Sequence, residues 1–390
     1  MESTGIASSA RPPNRATRPL KEPEFLTDRL GALRTKGQFR QLPAHRTGVD
    51  FWSNDYLGFA GRISATAETE HIAPGSRLIS GNHAGIERLE QDIAAFHGFP
   101  AALLFGSGYT ANLGLLSCVA RRTDTVIYDE FIHASLRDGI RLSGATGRRS
   151  KHNDLEDVAA LLRRAAGSGN VFVVTESRFS MDGDTAPLAE LAALCAEWGA
   201  HLIVDEAHST GLDGTMGRGL VAHLELQDLV FATVATYGKA PGFHGSAILG
   251  STALREYLIN FSRPFIFTTG PRPAQIAGLR SVYTLLQNEQ PEAYRRLTSV
   301  IETFKRFTSA HLPEVRVQSG PIQWVSVPGN DEVMSVEAAA LAAGYLVKGI
   351  RSPSVPAGSE RIRICLHAYN TPEEIAGMIA TLEDAVKQIA

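Results

Sequence analysis

His201-Leu-Ile-Val-Asp205-Glu-Ala-His208-Ser-Thr-Gly211 begins as a short apolar run and stops abruptly in acid, histidine and turn residues. Such a run reads as a strand buried on both faces, the kind found in a parallel sheet. Its acid falls at the carboxyl end, where open α/β sheets bind ligands. Three readings compete for this segment. A helicase-type acid motif needs a phosphate loop GxxxxGK[ST], and the chain has none. A metal site from His201, Asp205 and His208 would need ligands from opposite ends of one strand, too far apart for one ion. The third reading is an acid that pairs with a cationic ring nitrogen of a cofactor, with the histidine beside it.

The neighbouring runs are of two kinds. Val171–Thr175, Leu202–Asp205, Leu229–Val234 and Ser246–Leu249 read as buried strands. Between and before them lie helical stripes, Ile86, Leu89, Ile93, Phe96 and Leu188, Leu191, Cys195, Trp198. Strands alternating with helices imply crossover units and a mostly parallel sheet covered on both faces. Past Gln275 the pattern changes to long helical stretches, an alternating strand at Arg361–Leu366 and a closing helix. Thr371-Pro-Glu-Glu374 opens that helix with a cap, a first-position proline and a capping glutamate.

Composition limits the function. The chain has 390 residues, enough at roughly 150 per domain for two or three domains. A net charge of −3 gives no electrostatic reason to expect a nucleic-acid or acidic-membrane partner. No apolar run is long enough to span a bilayer. Cys118, Cys195 and Cys365 lie far apart without a CxxC pair, which argues against a disulfide framework or zinc site and for a reducing, cytoplasmic setting. Residues 1–23 read as a mobile leader, with basic residues and prolines but no signal-peptide core.

Two further stretches carry chemistry. Leu103-Leu-Phe-Gly106-Ser-Gly108-Tyr109-Thr-Ala-Asn112 feeds an apolar run through a Gly-Ser-Gly turn into a helical stretch. Exposed N–H groups at a helix start favour a phosphate. The glycine spacing is not that of the dinucleotide fingerprint, and a plain tight turn competes. Phe231-Ala-Thr-Val-Ala-Thr236-Tyr-Gly-Lys239-Ala-Pro-Gly242 ends an apolar strand in a lysine among small residues. Most lysines after strands are surface lysines. One at the end of a buried strand, near an acid and a histidine, suits Schiff-base chemistry, because desolvation frees its amine. Pyridoxal phosphate needs that lysine, an acid for the pyridine nitrogen, and hydroxyls with a helix start for its phosphate.

Together these segments resemble the α-oxoamine synthases, pyridoxal-phosphate enzymes of the aspartate-aminotransferase fold (fold type I). The resemblance rests on Ser53-Asn-Asp-Tyr-Leu-Gly58, Gly75–Asn82, Ser107-Gly-Tyr109, Asp129–Ser135, Ser180-Met-Asp-Gly-Asp184, Val204–His208 and Thr236–Lys239, in that order from about residue 25 onward. It implies a segment 24–50 packing on a small domain, a large cofactor-binding domain 51–275 and a small α+β domain 276–390. It further implies condensation of an amino acid with an acyl thioester, carried by coenzyme A or acyl carrier protein, with loss of CO2. The chain is most similar to the member that joins L-alanine to a pimeloyl thioester on the route to biotin. Other members join glycine or serine to different acyl groups, and an aminotransferase on the same fold is a further alternative.

By that resemblance Lys239 would hold the cofactor aldehyde and move the Cα proton. Asp205 would pair with the pyridinium nitrogen, His208 with the ring oxygen, and His133 would stack on the ring. Ser180, Thr236 and the Gly108–Tyr109 backbone would hold ring oxygen and phosphate. Arg363 would clamp the amino-acid carboxylate as a bidentate fork, assisted by Asn54, with Ser354 near the substrate. Thr268 and Thr269 would reach the phosphate of a neighbouring subunit, implying a homodimer. Read singly, His133 fits a satisfied strand-end histidine, Ser180 a turn cap, and Arg361 with Arg363 the exposed face of an edge strand. Arg178 stands where the family usually has an apolar residue, and Ile86 where it usually has a histidine.

Overall fold

The computed structural model describes residues 24–42, 47–64, 74–167, 169–313 and 315–389. The expected leader, residues 1–23, lies outside them. The chain divides into two units, Met1–His45 and Arg46–Ala390. In the first, Glu24–Thr35 is helical, with Phe25, Leu26, Leu30 and Leu33 exposed.

Among the described residues, the strands lie in the second unit. A short pair joins β1 (Val49–Asp50) to a later strand in parallel. The main sheet has seven strands, β2 (Ala101–Phe105), β3 (Thr125–Asp129), β4 (Thr146–Ser150), β5 (Val171–Glu176), β6 (His201–Asp205), β7 (Val230–Thr236) and β8 (Ser246–Gly250). They lie side by side in the order β2-β8-β7-β6-β5-β3-β4. Neighbours pair in parallel except β8, which is antiparallel to both β7 and β2. The reason is the link from Thr236 to Ser246, which is too short for a crossover and forces a return in the opposite sense. The mostly parallel sheet expected from the alternation is therefore present.

Two apolar clusters cover the two faces. Leu202, Val204 and Val173 face one way; Ile203, Val174, Val234 and the helix residues Ala111, Leu115 and Leu116 face the other. Strand alternation puts Asp205 on the same face as Ile203, under the helix Gly108–Val119. That placement later matters for its hydrogen bonds.

A helix from Pro273 to His311 leads out of the main sheet. Beyond it, β9 (Ile322–Ser326), β10 (Tyr345–Leu346), β11 (Lys348–Ile350) and β12 (Arg361–Cys365) follow. β10 is the partner of β1, and β11-β12-β9 make an antiparallel sheet with β12 in the middle. Arg361 and Arg363 thus lie buried on a central strand, not on the exposed face of an edge strand. The last helix, Pro372–Ile389, opens as expected. Thr371 Oγ1 accepts from Glu374 N at 3.2 Å and Glu374 Oε2 from Thr371 N at 2.9 Å.

Two apolar expectations fail at element ends. Leu229 precedes its strand and is exposed, and Trp198 is exposed in the last helical turn before the left-handed cap Gly199. Both sit where the chain has already begun to leave the packed layer. Among the described residues no helix is long and apolar enough to cross a membrane.

Candidate active site

The strands that share a direction all present their carboxyl ends to one side of the sheet, and each runs into a loop carrying a polar group. β2 leads to Ser107–Tyr109, β3 to His133, β5 ends in Glu176 and leads to Ser180, β6 ends in Asp205 and leads to His208, and β7 ends in Thr236 and leads to Lys239. These residues, with Ala207, Gly238, His244 and Gly245, line one cavity of about 240 Å3. The topology alone gathers them, since the rim of a parallel sheet is where crossover loops begin.

Lys239 sits in a tight turn. Gly242 N donates to Lys239 O and Phe243 N to Tyr237 O, both at 2.7 Å. Gly242 has φ +71°, and a Cβ there would meet Ala60 N at 2.5 Å, so only glycine closes this turn. Lys239 keeps part of its surface open to the cavity. Desolvation lowers its pKa, and the nearby carboxyl groups of Asp205 and Glu176 oppose that shift.

Asp205 is buried and held at both oxygens. Oδ1 accepts from Ala207 N at 2.8 Å and Oδ2 from Asn112 Nδ2 at 2.6 Å. Asn112 Nδ2 also donates to Ser135 Oγ at 3.0 Å. Ser135 Oγ lies 2.7 Å from His133 Nδ1, which also accepts from Ser135 N at 3.2 Å. His133 therefore caps the helix Ala134–Ser143 with Nδ1 and has Nε2 left for the cavity. Burial lowers its pKa.

His208 is buried, at the wall of the cavity. Its Nδ1 is 2.8 Å from the hydroxyl of Tyr56, and desolvation, then the Lys239 charge, holds its pKa well below that of a free imidazole. Glu176 faces Asp205 in the strand register. Burial first, then the Asp205 charge, raises its pKa to about 8, and its Oε1 has no partner. A carboxyl so placed carries its proton at neutral pH.

Arg363 comes from the second sheet. Nε donates to Ser180 O at 2.8 Å and Nη2 to Asn54 Oδ1 at 3.1 Å. Arg361 secures the same loop by an ion pair to Asp182 at 2.7 Å while lying over the Trp324 ring. Arg178 spans the base of the loop, donating to Gly183 O and pairing with Asp213 at 2.9 Å. Ile86 packs in the core, and His83 caps the helix Ala84–His97.

Of the residues expected at the site, Gly108, Tyr109, His133, Ser180, Asp205, His208, Thr236 and Lys239 share the cavity, and Asn54 joins Arg363. Ser354 does not line it; it is exposed in a turn in which its N–H donates to Arg351 O. Thr268 and Thr269 line a second cavity that shares His244 and Gly245 with the first.

The donors match pyridoxal phosphate. Ser107 Oγ takes the Thr110 N–H, which leaves the first-turn N–H groups of Gly108 and Tyr109 at the cavity wall. A Cβ on Gly108 would lie 2.7 Å from Thr236 Cγ2, so glycine keeps this approach open. A family model for aminotransferase class I and II matches residues 46–382. The chain belongs to this family of pyridoxal-phosphate enzymes.

Its relatives there include 8-amino-7-oxononanoate synthases. That of Alkalilimnicola ehrlichii is 40% identical over 387 residues, covering 93% of this chain and 98% of its own. The crystal structure of the Francisella tularensis 8-amino-7-oxononanoate synthase is similar with a TM-score of 0.74 at 27% identity, over 88% of this chain and 98% of that one. Serine palmitoyltransferase of Sphingomonas wittichii gives 0.81 at 26% identity, over 93% and 96%. The fold class, cofactor and family expected from the sequence all stand.

Sequence reasoning assigned no role to Asn112, Ser135, Tyr56 or Glu176. For Glu176 the signal was the one used for Asp205, an acid ending a buried run (Val171-Phe-Val-Val-Thr-Glu176). Tyr56, Ser135 and Asn112 lie inside the runs quoted above, but no local signal gave them roles, because Asn112 reaches Ser135 and Asp205, and Tyr56 reaches His208, across more than twenty residues of sequence.

Proposed function

We propose that this protein condenses L-alanine with a pimeloyl thioester, releasing CO2 and the free thiol and giving 8-amino-7-oxononanoate. Pyridoxal phosphate, when bound, supplies an aldehyde that condenses with amines and a ring that withdraws electrons from the alanine Cα. The protein provides position and proton control. Lys239, its amine freed by desolvation, would hold the aldehyde, yield it to alanine and then take the Cα proton. Asp205, fixed by Asn112 and Ala207 N–H, would keep the ring nitrogen protonated. His133 Nε2 would meet the ring face and the incoming thioester carbonyl. Arg363, anchored by Ser180 O and steadied by Asn54, would orient the alanine carboxylate for its loss as CO2.

The observation that carries this reading is the shared cavity of Lys239, Asp205, His208 and His133 beside the open helix start. We further propose a cytoplasmic homodimer in which Thr268 and Thr269 face the phosphate of the second subunit, and a division into a large domain and a small one near Gln275. A second reading, serine with a long acyl thioester, draws on the likeness to serine palmitoyltransferase. The test is thiol release with alanine, glycine and serine crossed against short, dicarboxylic and long thioesters. Alanine with pimeloyl thioester is expected to give the highest kcat/KM; any other best pair overturns the assignment.

A further inference from the structure

Tyr56 stands between the two halves of the site. It is fully buried, and its hydroxyl lies 3.0 Å from Asn54 Oδ1 and 2.8 Å from His208 Nδ1. Asn54 Oδ1 also accepts from Arg363 Nη2 at 3.1 Å. The result is a continuous chain, Arg363 to Asn54 to Tyr56 to His208, from the carboxylate clamp to the histidine at the cofactor ring. The second sheet supplies one end and the main sheet the other.

A hydroxyl has one proton, and here it has two acceptors. If the proton points to His208 Nδ1, the imidazole carries its own proton on Nε2 and offers the cavity a donor. If it points to Asn54, His208 must donate from Nδ1 to the tyrosine oxygen, and Nε2 becomes an acceptor. The imidazole holds one proton in either arrangement. Asn54 Oδ1 selects between them. Here it lies within reach of both donors, Arg363 Nη2 and the Tyr56 hydroxyl; a carboxylate that draws Nη2 away leaves it to the Tyr56 proton alone, which favours the second arrangement.

We propose that Tyr56 is a positioning residue that transmits occupancy of the Arg363–Asn54 carboxylate clamp to His208, by setting which imidazole nitrogen carries the proton. This rests on the proposed cofactor site, because the consequence is read at the ring oxygen beside His208. The other groups facing His208 are Lys239, Arg363, Arg178 and His133, all of which hold it neutral, so a tautomer change is open to it where a charge change is not. Burial also keeps the Tyr56 phenol protonated, its pKa raised far above the usual value.

The test uses the pyridoxal-phosphate-loaded protein, with borohydride reduction and peptide mapping first. An adduct anywhere but Lys239 overturns the site reading and this inference with it. With the adduct on Lys239, absorbance of the bound cofactor is titrated against pH with and without saturating propionate, which has a carboxylate but no amine. Propionate is expected to shift the midpoint of the wild-type transition by about half a unit, roughly threefold in proton affinity. Tyr56→Phe is expected to abolish that shift and weaken propionate binding by about fivefold. Asn54→Ala, at saturating propionate, loses the shift as well and decides the matter should Y56F not load. No shift in the wild type, or an equal shift in Y56F or N54A, overturns the proposal while leaving the Lys239 site intact. A purely structural hydroxyl would lower stability in Y56F and leave the propionate shift in place.

Discussion

Asn112 Nδ2 lies 2.6 Å from Asp205 Oδ2, and both side chains are buried. The carboxylate would otherwise have a single N–H donor, from Ala207. With two it is fixed in one orientation beneath the cavity, and charged hydrogen bonds of this kind are the stronger class. The same amide nitrogen reaches Ser135 and through it His133, so one asparagine ties together two groups that line the cavity.

Asn112→Ala is therefore expected to leave Asp205 Oδ2 short of a partner and to weaken pyridoxal-phosphate binding by about tenfold. Asn112→Asp is expected to be worse, since it brings a second carboxyl against the first. Absorbance titration of the cofactor-free protein with pyridoxal phosphate measures both. Affinities within twofold of wild type would remove Asn112 from the site.

The Arg178–Asp213 pair gives a second prediction. Both side chains are nearly inaccessible, and Ser209 Oγ donates to Asp213 Oδ2 at 2.6 Å. Removing one partner strands the other charge, at a cost of about 3–5 kcal/mol. Arg178→Met or Asp213→Leu alone should show that loss in chemical denaturation, and the double variant should recover most of it. Equal losses in single and double variants would mean that the charges do not depend on each other.

How much of this was legible in sequence follows from where each signal is stored. The strands β5 to β8 were readable because buried strands are apolar throughout, whereas the edge strand β4, Thr146-Gly-Arg-Arg-Ser150, is mostly exposed and carries no such run. Lys239 and His208 were readable because each follows a buried strand within three residues, and Asp205 because it ends one. Arg178 looked like an anomaly, since its explanation, Asp213, is thirty-five positions away on another loop. Arg361 and Arg363 alternate as exposed residues do, yet Asp182, Trp324, Ser180 and Asn54 satisfy them inside. Period-two patterning tells which residues share a face, and says nothing of what covers that face.

Glu176 supplies a prediction about pH. Its pKa is raised from the ordinary 4.5 to about 8 by burial and by Asp205. The folded state thus keeps a proton that the unfolded chain loses, so this group favours folding below about pH 4.5, and the benefit is lost as pH rises to about 8. Glu176→Gln cannot ionise. Relative to it, the wild type should lose stability progressively over that interval and run parallel above it, as measured by denaturation at a series of pH values. Parallel curves throughout would mean that Glu176 is already charged in the folded protein.

His152 works in the opposite range. Nδ1 lies 3.0 Å from Asp129 and Nε2 2.9 Å from Asp184, with Phe131 and Phe179 against the ring. Burial disfavours the imidazolium, but the two carboxylates outweigh it and raise the pKa from 6.5 to about 10. The folded state thus binds this proton more tightly than the unfolded chain does. The resulting stability is complete below about pH 6.5 and disappears as pH climbs through about 10. Since part of the ring is open to solvent, about 2 kcal/mol is expected rather than the full value of the shift. Asp184 closes the loop that presents Ser180 to Arg363, so alkaline release should loosen the carboxylate clamp as well as the fold. Melting curves of wild type and His152→Gln between pH 6 and 10 test this. The wild type should lose its advantage across that span, while a constant difference would show that His152 is neutral in the folded protein and only packs there.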